Sequence, residues 1–389
     1  MKKEQKPTFS FFLTNPDQLN NETGKFQLTK EDLTLVNPNT KTCPIFATKR
    51  DLELTKKIYK RIPVLINEAE GENPWNVRYL RMFDMTNDSH LFRDGKSLEE
   101  SGFTLEGNIF RKGDEVFLPL YEGKMMWHFN HRAGSVEYKG AIVPGRHDVI
   151  TSDISQLKDP NFAPLPRFWV NRIEVERLVP SGRGWLCGFR DITNAMSERT
   201  SIFSITPLVA AGNKLPLLFF DTQPTKVISA FLGNVNSFVF DYITRQKLGG
   251  NSMNLFILKQ LPVLPPTSYT DDLINLISSK VLELTYTSWD LKEFAREMGY
   301  VDDDGRPKPP FEWDEERRLD LQCELDAIYL LLYGVTREDA EYILETFPIV
   351  KRIDIKRFGE YRTKNLILKY YDEYSIKLTV PKLEQVKGS

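Results

Sequence analysis

At 389 residues the chain is long enough for two or three domains with substantial interiors. A hydrophobic share of 41% and a charged share of 27% describe an ordinary soluble protein. The formal net charge of −2 supplies no overall field to draw a polyanion, so any nucleic-acid contact must rest on local patches.

The basic start, MKKEQKPTFSFFLTNPDQ, carries an apolar run too short for a signal peptide. No apolar stretch is long enough to span a bilayer, which argues against a membrane partner. Cys43, Cys187 and Cys323 form no CxxC pair and point to a reduced compartment, so a cytoplasmic location is expected. Residues 9–40 are rich in Asn, Thr and Pro and read as turns with at most short strands. So abrupt a start fits either a natural subunit or the tail of a longer open reading frame. Thr48-Lys49-Arg50-Asp51 is a capping box with Asp in the place of Glu. It predicts a helix with Leu52, Thr55, Ile58, Tyr59 and Ile62 on one face, stopped by Pro63. Val77 and Tyr79 alternate as in a strand, and the following Asp84, Asn87, Asp88 and His90 fit a capped loop better than any metal-ligand spacing.

The stretch 118–140, LPLYEGKMMWHFNHRAGSVEYKG, begins as an apolar strand and then gathers aromatics, two histidines and several cations. Tyr121, Lys124, Trp127, His128, His131, Arg132, Tyr138 and Lys139 all fall within it. Flat π surfaces interleaved with cations suit a polyanion that also offers stackable rings, as nucleic acid does.

Residues 141–220 read as β-rich and irregular, with short apolar runs interrupted by Pro, Gly and Arg. SGRGW, GFRDITNAMSERT and GNKLP set Arg183, Arg190, Arg199 and Lys214 beside turns, where they could reach phosphates and base edges or sit as solvated rim charges. From Thr225 to Lys247 the periodicity is helical, with Ile228, Phe231, Leu232, Val235, Phe238, Val239 and Tyr242 on one face ending at Gly249-Gly250. Arg245 and Lys247 fall at its C-terminus, which the dipole makes favourable for cations. A strand and the diproline Pro265-Pro266 follow, and the diproline reads as a boundary. Beyond it, Leu273, Ile277, Val281 and Leu284 line one helix and Leu321, Leu325, Ile328 and Leu332 another. Thr336 to Asp339 opens a further helix, and VKRIDIKRFGEYRTKNLILKYYDEY adds a basic run from Lys351 to Lys369.

Several of these segments resemble one family in the same order. LYEGKM with the tail Phe129-Asn130-His131-Arg132 resembles a segment of the large methylases that fuse an adenine-N6 DNA methyltransferase to a target-recognition region, among them the DISARM phage-defence methylases and Type IIG restriction enzymes. The family tail reads F-D-H-R, so Asn130 removes one carboxylate. FQLTKEDLTLVNPNTKTCPIFATKRDLELTKKIY resembles the segment after the methyltransferase domain there, and GFRDITNAMSERT resembles a recognition-domain element. FEWDEERRLDLQCELDAIYLLLYG and ETFPIVKR with GEYRTKNLILKYYD resemble the terminal segment. The likeness covers most of residues 25–375.

The resemblance implies an α+β chain in which residues 1–112 connect to a methyltransferase domain, 113–266 form a β-rich target-recognition domain and 267–389 form a helical domain. It implies double-stranded DNA and a methyltransferase domain or subunit as partners. S-adenosylmethionine would be the cofactor of that partner and not of this chain, which lacks the Gly-rich loop and the [DNS]-P-P-[YFW] tetrapeptide. Lys308-Pro309-Pro310-Phe311 lacks the polar first residue and reads as a loop before a helix. The residues expected on DNA are Lys124, His131, Arg132, Arg183, Arg190, Arg199, Arg245 and Lys247, with Arg132, Arg183, Arg199, Arg245 and Lys247 forming one surface. Two rival readings stand beside this one. Glu122-Gly123-Lys124 and Glu137-Tyr138-Lys139 match the E-x-K half of a metal-dependent nuclease motif, with Asp114 as a second ligand. His128-x-x-His131 would suit zinc only with further ligands close by. The other rival is an assembly subunit that never touches DNA.

Overall fold

The computed structural model describes residues 7–11, 15, 17, 25–136 and 149–379. The architecture is α+β, as expected, with small sheets early and helices dominating the end. Strands β1 (Thr8–Ser10) and β2 (Lys25–Gln27) pair antiparallel ahead of α1 (Lys30–Val36) and α2 (Lys49–Arg61). Both helices start on reciprocal capping boxes, Thr29 with Asp32 and Thr48 with Asp51. Helix α2 buries Leu52, Thr55, Ile58 and Tyr59 and gives way at Ile62, before the proline that cannot donate to a further turn. Strand β3 (Val77–Leu80) leads to the polar loop at Asp84, whose carboxylate accepts from the amides of Thr86 and Asn87.

Helix α3 (Gly95–Glu100) precedes a meander of β4 (Thr104–Glu106), β5 (Ile109–Lys112) and β6 (Glu115–Tyr121). Strands β7 (Gly134–Val136) and β8 (Val149–Thr151) pair antiparallel, and Glu137, Tyr138 and Lys139 lie outside the described residues. Helix α4 (Ile154–Lys158) and β9 (Trp169–Asn171), which pairs with β6, come next, then α5 (Arg172–Glu176). Strands β10 (Trp185–Phe189), β11 (Phe203–Pro207), β12 (Ala210–Ala211) and β13 (Leu217–Phe220) complete the β-rich part.

The central sheet has the order β11-β10-β13-β3 and is buried on both sides of β10 and β13. Alternate residues of a strand point to opposite faces. Accordingly Leu218 and Phe220 join the main core while Leu217 and Phe219 join a second one under β6. Trp185, Cys187 and Phe189 against Leu186 divide in the same way on β10. The central sheet is therefore shared between two cores, which is why these strands read as continuous apolar runs.

The helices are α6 (Thr225–Asn236), α7 (Phe238–Lys247), α8 (Leu255–Leu258), α9 (Asp271–Thr285), α10 (Lys292–Glu297), α11 (Glu315–Leu332), α12 (Arg337–Glu345), α13 (Pro348–Phe358) and α14 (Arg362–Lys377). Two expectations are corrected. The helix from Thr225 to Lys247 is broken at Ser237, which adopts extended backbone angles and caps α7 by accepting from Phe240 N. Asp326 of α11 accepts from Phe238 N at 2.6 Å, so a partner distant in sequence satisfies the donor that the break exposes. The strand expected after Gly249-Gly250 is instead the short helix α8, followed by an extended bridge between Pro262 and Val64.

The expected boundaries at 112/113 and 266/267 do not coincide with breaks in packing. β3 belongs to the central sheet, and the main core runs without interruption from Val36 through Phe203 and Phe231 to Leu368. Buried Asn234 accepts from Leu264 N and donates to the Tyr333 hydroxyl at 2.7 Å, tying the diproline segment to both sides. Trp75 Nε1 donates to Leu264 O at 3.0 Å.

Candidate nucleic-acid interface

The 118–140 stretch leaves the core at Tyr121 and enters a 3-10 turn over Gly123–Met125. A side chain at Gly123 would place its Cβ 2.5 Å from the Lys214 carbonyl oxygen, so the close approach demands glycine. Arg190, immediately after β10, holds this turn. Its guanidinium donates to the carbonyls of Gly123, Lys124 and Met126 at 2.8, 3.2 and 2.6 Å and lies 4.9 Å from the Trp127 ring centroid. Burial lowers its pKa to about 10, which still leaves it cationic at neutral pH. Trp127 and Asn130 then close a tight turn through two backbone bonds, with Phe129 at φ 55°.

Downstream of that turn the side chains point inward. Arg132 is 0% exposed. It donates to the carbonyls of Leu157, Asp159, Phe162 and Thr287 at 2.8 to 3.2 Å, and to the Thr287 hydroxyl. His131 is buried with Nε2 2.8 Å from Asp290, whose other carboxylate oxygen accepts from Ser288. Burial alone would raise the Asp290 pKa, but His131, Ser288 and Arg132 outweigh it and leave the carboxyl below its usual range. His128 faces elsewhere, with Nε2 2.7 Å from Ser201 O. Burial, with help from Arg199, pushes its pKa well down, so it is the neutral ring that bonds the carbonyl.

Of the cations expected to share one surface, four are instead enclosed, which corrects that expectation for Arg132, Arg199, Arg245 and Lys247. Arg199 pairs with fully buried Asp241 at 2.8 Å, donates to Asn236 O and lies 4.0 Å from the Phe238 ring centroid. Arg245 shares Asp241 at 3.3 Å, donates to Ser197 O and Glu198 O and stacks 3.9 Å from the Phe347 ring centroid. Lys247 turns its ammonium inward to Val36 O and the Asn37 side chain. The physical reason is common to them. Loops and helix ends bury carbonyls that no ladder satisfies, and a guanidinium with five fixed donors, or the three-donor ammonium of Lys247, satisfies several acceptors at once. His131 is likewise enclosed by its bond to Asp290.

Arg183, Arg190 and Lys124 border open clefts. The larger cleft, of about 890 Å³, lies between β5, β6, α5 and α10. Arg111, Arg172, Arg183 and Lys292 line it together with Glu176, Asp290, Glu293 and Glu297, so its charge is mixed. The Arg183 guanidinium is 4.8 Å from the Trp185 ring centroid. The smaller cleft, of about 540 Å³, is lined by Lys124, Trp127, Arg190, Glu198 and Ser152 among others. Asn130 and Ala133 line the smaller cleft, whereas Asp290, bonded to His131, lines the larger. The Phe129-to-Arg132 segment therefore stands between them. In the basic tail, Lys351, Arg357, Arg362 and Lys364 are paired with Glu345, Glu315, Glu316 and Glu341, which neutralises much of that run.

The nuclease constellation is not assembled among the described residues. Asp114 precedes β6 and Glu122 follows it, and a seven-residue strand separates its ends by roughly 20 Å. His128 and His131 bond different partners and are not on a helix, so packing accounts for both. No group of three or more His, Cys, Asp or Glu side chains among the described residues is arranged to hold a metal ion. Lys308 to Phe311 is a loop ahead of α11, with Phe311 stacked 4.8 Å from Tyr300. Sequence reasoning missed Ser152, Glu198 and the Ser288-to-Asp290 segment, because their relevance lies in partners far along the chain. No protein-family model matches this sequence, and a search of curated proteins finds no relative.

Proposed function

We propose that the chain is the target-recognition portion of a restriction-modification or phage-defence adenine-N6 DNA methyltransferase system. It binds duplex DNA and positions a methyltransferase domain that carries the S-adenosylmethionine site. One observation carries the reading. Two segments that each resemble this family, LYEGKMMWHFNHR and GFRDITNAMSERT, meet at one cleft, where Arg190 of the second clamps the turn of the first against Trp127. The exposed ammonium of Lys124, with no ion-pair partner among the described residues, stands at that cleft and would meet a phosphate. Arg183 borders the neighbouring cleft.

The test is an anisotropy titration of the full chain, with and without a methyltransferase partner, against labelled random-sequence duplex at several salt concentrations. Wild type should bind with a steep salt dependence. Lys124→Ala should flatten the slope of log affinity against log salt by about 0.9. Arg183→Ala should weaken binding in the same assay. If the wild type shows no salt-dependent affinity, or both substitutions leave it unchanged, the reading gives way to an assembly subunit that does not touch DNA.

A further inference from the structure

The larger cleft carries cations that the fold leaves without a counter-ion. Its apolar lining comes from Ile109 of β5, Leu118 of β6, Val179 and Leu208. One wall is the 3-10 turn over Trp289–Leu291 and the helix α10 that continues it. Trp289, Lys292, Glu293 and Glu297 all line the cleft, and their spacing sets them on one side of a helical segment. A second wall is the turn from Pro180 to Arg183, in which Arg183 N donates to Pro180 O at 3.2 Å. The two walls meet at Gly184, where a Cβ would fall 2.7 Å from that of Glu293. Arg183 and Lys292 are therefore the residues just before each side of one close contact.

Most of the charges lining this cleft are already answered. Glu176 pairs with Arg172, Arg111 with Glu106, Glu293 with Arg296 and Asp290 with His131. Arg183 and Lys292 have no ion-pair partner among the described residues. Asp221, whose charge reaches Arg183, is held by both prongs of Arg78 at 2.5 and 3.0 Å. Glu297 accepts from the Thr225 hydroxyl at 2.7 Å and pairs with no cation among the described residues. Two cations and one acceptor thus remain beside the Trp289 indole, which is 37% exposed.

We infer that this cleft binds a small organic anion in which a phosphate is joined to a flat ring. Arg183 and Lys292 take the phosphate through charge-assisted bonds, and Trp289 offers a ring face. Glu297 accepts from a hydroxyl of the ligand. At about 890 Å³ the cleft has the size of small-molecule sites. The excess of two cations over one carboxylate sets the sign, since a neutral or cationic ring would leave Arg183 and Lys292 unanswered. The site needs no DNA and lies apart from Lys124, so it stands independently of the nucleic-acid reading although Arg183 enters both.

The experiment is a calorimetric titration of the full chain, without DNA, with 1-naphthyl phosphate, inosine monophosphate, 1-naphthol and inorganic phosphate. At least one of the two esters should bind with a Kd below about 1 mM, and 1-naphthol and inorganic phosphate about tenfold more weakly than it. Lys292→Ala and Arg183→Ala should each weaken the ester by about tenfold, with thermal unfolding confirming that both variants are folded. The two esters separate the sources of the ligand. Tighter binding of inosine monophosphate, lost in Glu297→Met, assigns the cleft to free nucleotides, whereas equal or tighter binding of the naphthyl ester assigns it to aryl phosphates at large. Absence of ester binding at millimolar concentration overturns the site, as does inorganic phosphate binding as tightly as the esters. Ester affinity that survives in both folded variants also overturns it. None of these outcomes bears on duplex binding, which the anisotropy titration decides separately.

Discussion

At the scale of single residues, several arginines, Arg132, Arg190, Arg199 and Arg245 among them, cross-link segments distant in sequence. Arg132 connects the segment at 157–162 to Thr287 through donors aimed at carbonyls. Arg132→Met should cost about 3–5 kcal/mol in urea unfolding, since it strands several buried acceptors. Arg132→Lys should not restore that stability, because a single ammonium cannot span the same fork of carbonyls. Rescue by lysine would mean that charge, and not geometry, is what matters there. Asp326 gives a pH-dependent case. Burial is the main cause that raises its carboxyl to about 7 from an ordinary 3.8, with nearby Asp241 adding and Arg199 and the Phe238 amide opposing. Between those values the folded protein holds a proton that the unfolded chain has lost, so this group's contribution to stability falls as pH rises through that window. Asp326→Asn keeps an acceptor for Phe238 N without the charge. Wild type should therefore lose on the order of 2 kcal/mol more than the variant between pH 5 and pH 8. Parallel stability curves for the two proteins would show that Asp326 is already ionised at the lower pH.

At the scale of elements, local signals set the helix starts well and their continuity poorly. The capping box at Thr48 opens α2 and the Thr336 hydroxyl caps α12 where the sequence places them, although Asp339 turns its carboxylate to Arg50 and Lys57 and leaves the second half of that box unformed. The apolar face from Ile228 to Tyr242 is buried as expected, yet one helix became two. Nothing in that face signals the break, because Ser237 is tolerable inside a helix and becomes a cap only when Asp326 arrives to hold Phe238 N. Ser237→Ala should destabilise the protein by about 1 kcal/mol in chemical unfolding. A neutral effect would mean that Asp326 alone sustains the start of α7.

At the scale of the whole molecule, the sheet-rich and helical parts are one packed body and not two units in series. Helix α6 lies against α9, and the Tyr329 and Tyr333 hydroxyls of α11 and its C-terminal cap donate to Ala230 O and Pro262 O. A fragment ending at residue 266 would expose the apolar face of α6 and lose the partners of Asn234 and Phe238. It should show no cooperative thermal transition and should bind a hydrophobic dye. A cooperative transition with native near-UV dichroism would establish an independent domain ending at the diproline.

By itself the sequence determined the α+β class, the capped helices, the capped loop at Asp84 and the apolar strands of the central sheet. These arise from short-range rules of period, capping and turn chemistry. It also singled out the 118–140 stretch, through its density of aromatics and cations. Only the tertiary structure decided which of those cations remain available. Arg132, Arg199, Arg245 and Lys247 are enclosed, while Lys124 stands open and Arg183 borders a cleft. The reason is that an arginine beside a turn looks alike in sequence whether it meets solvent or a carbonyl brought close by a segment far along the chain. Thr287 lies 155 residues from Arg132, and Asp290 lies 159 from His131. Separations of that length carry no local pattern, and packing alone assigns the partner.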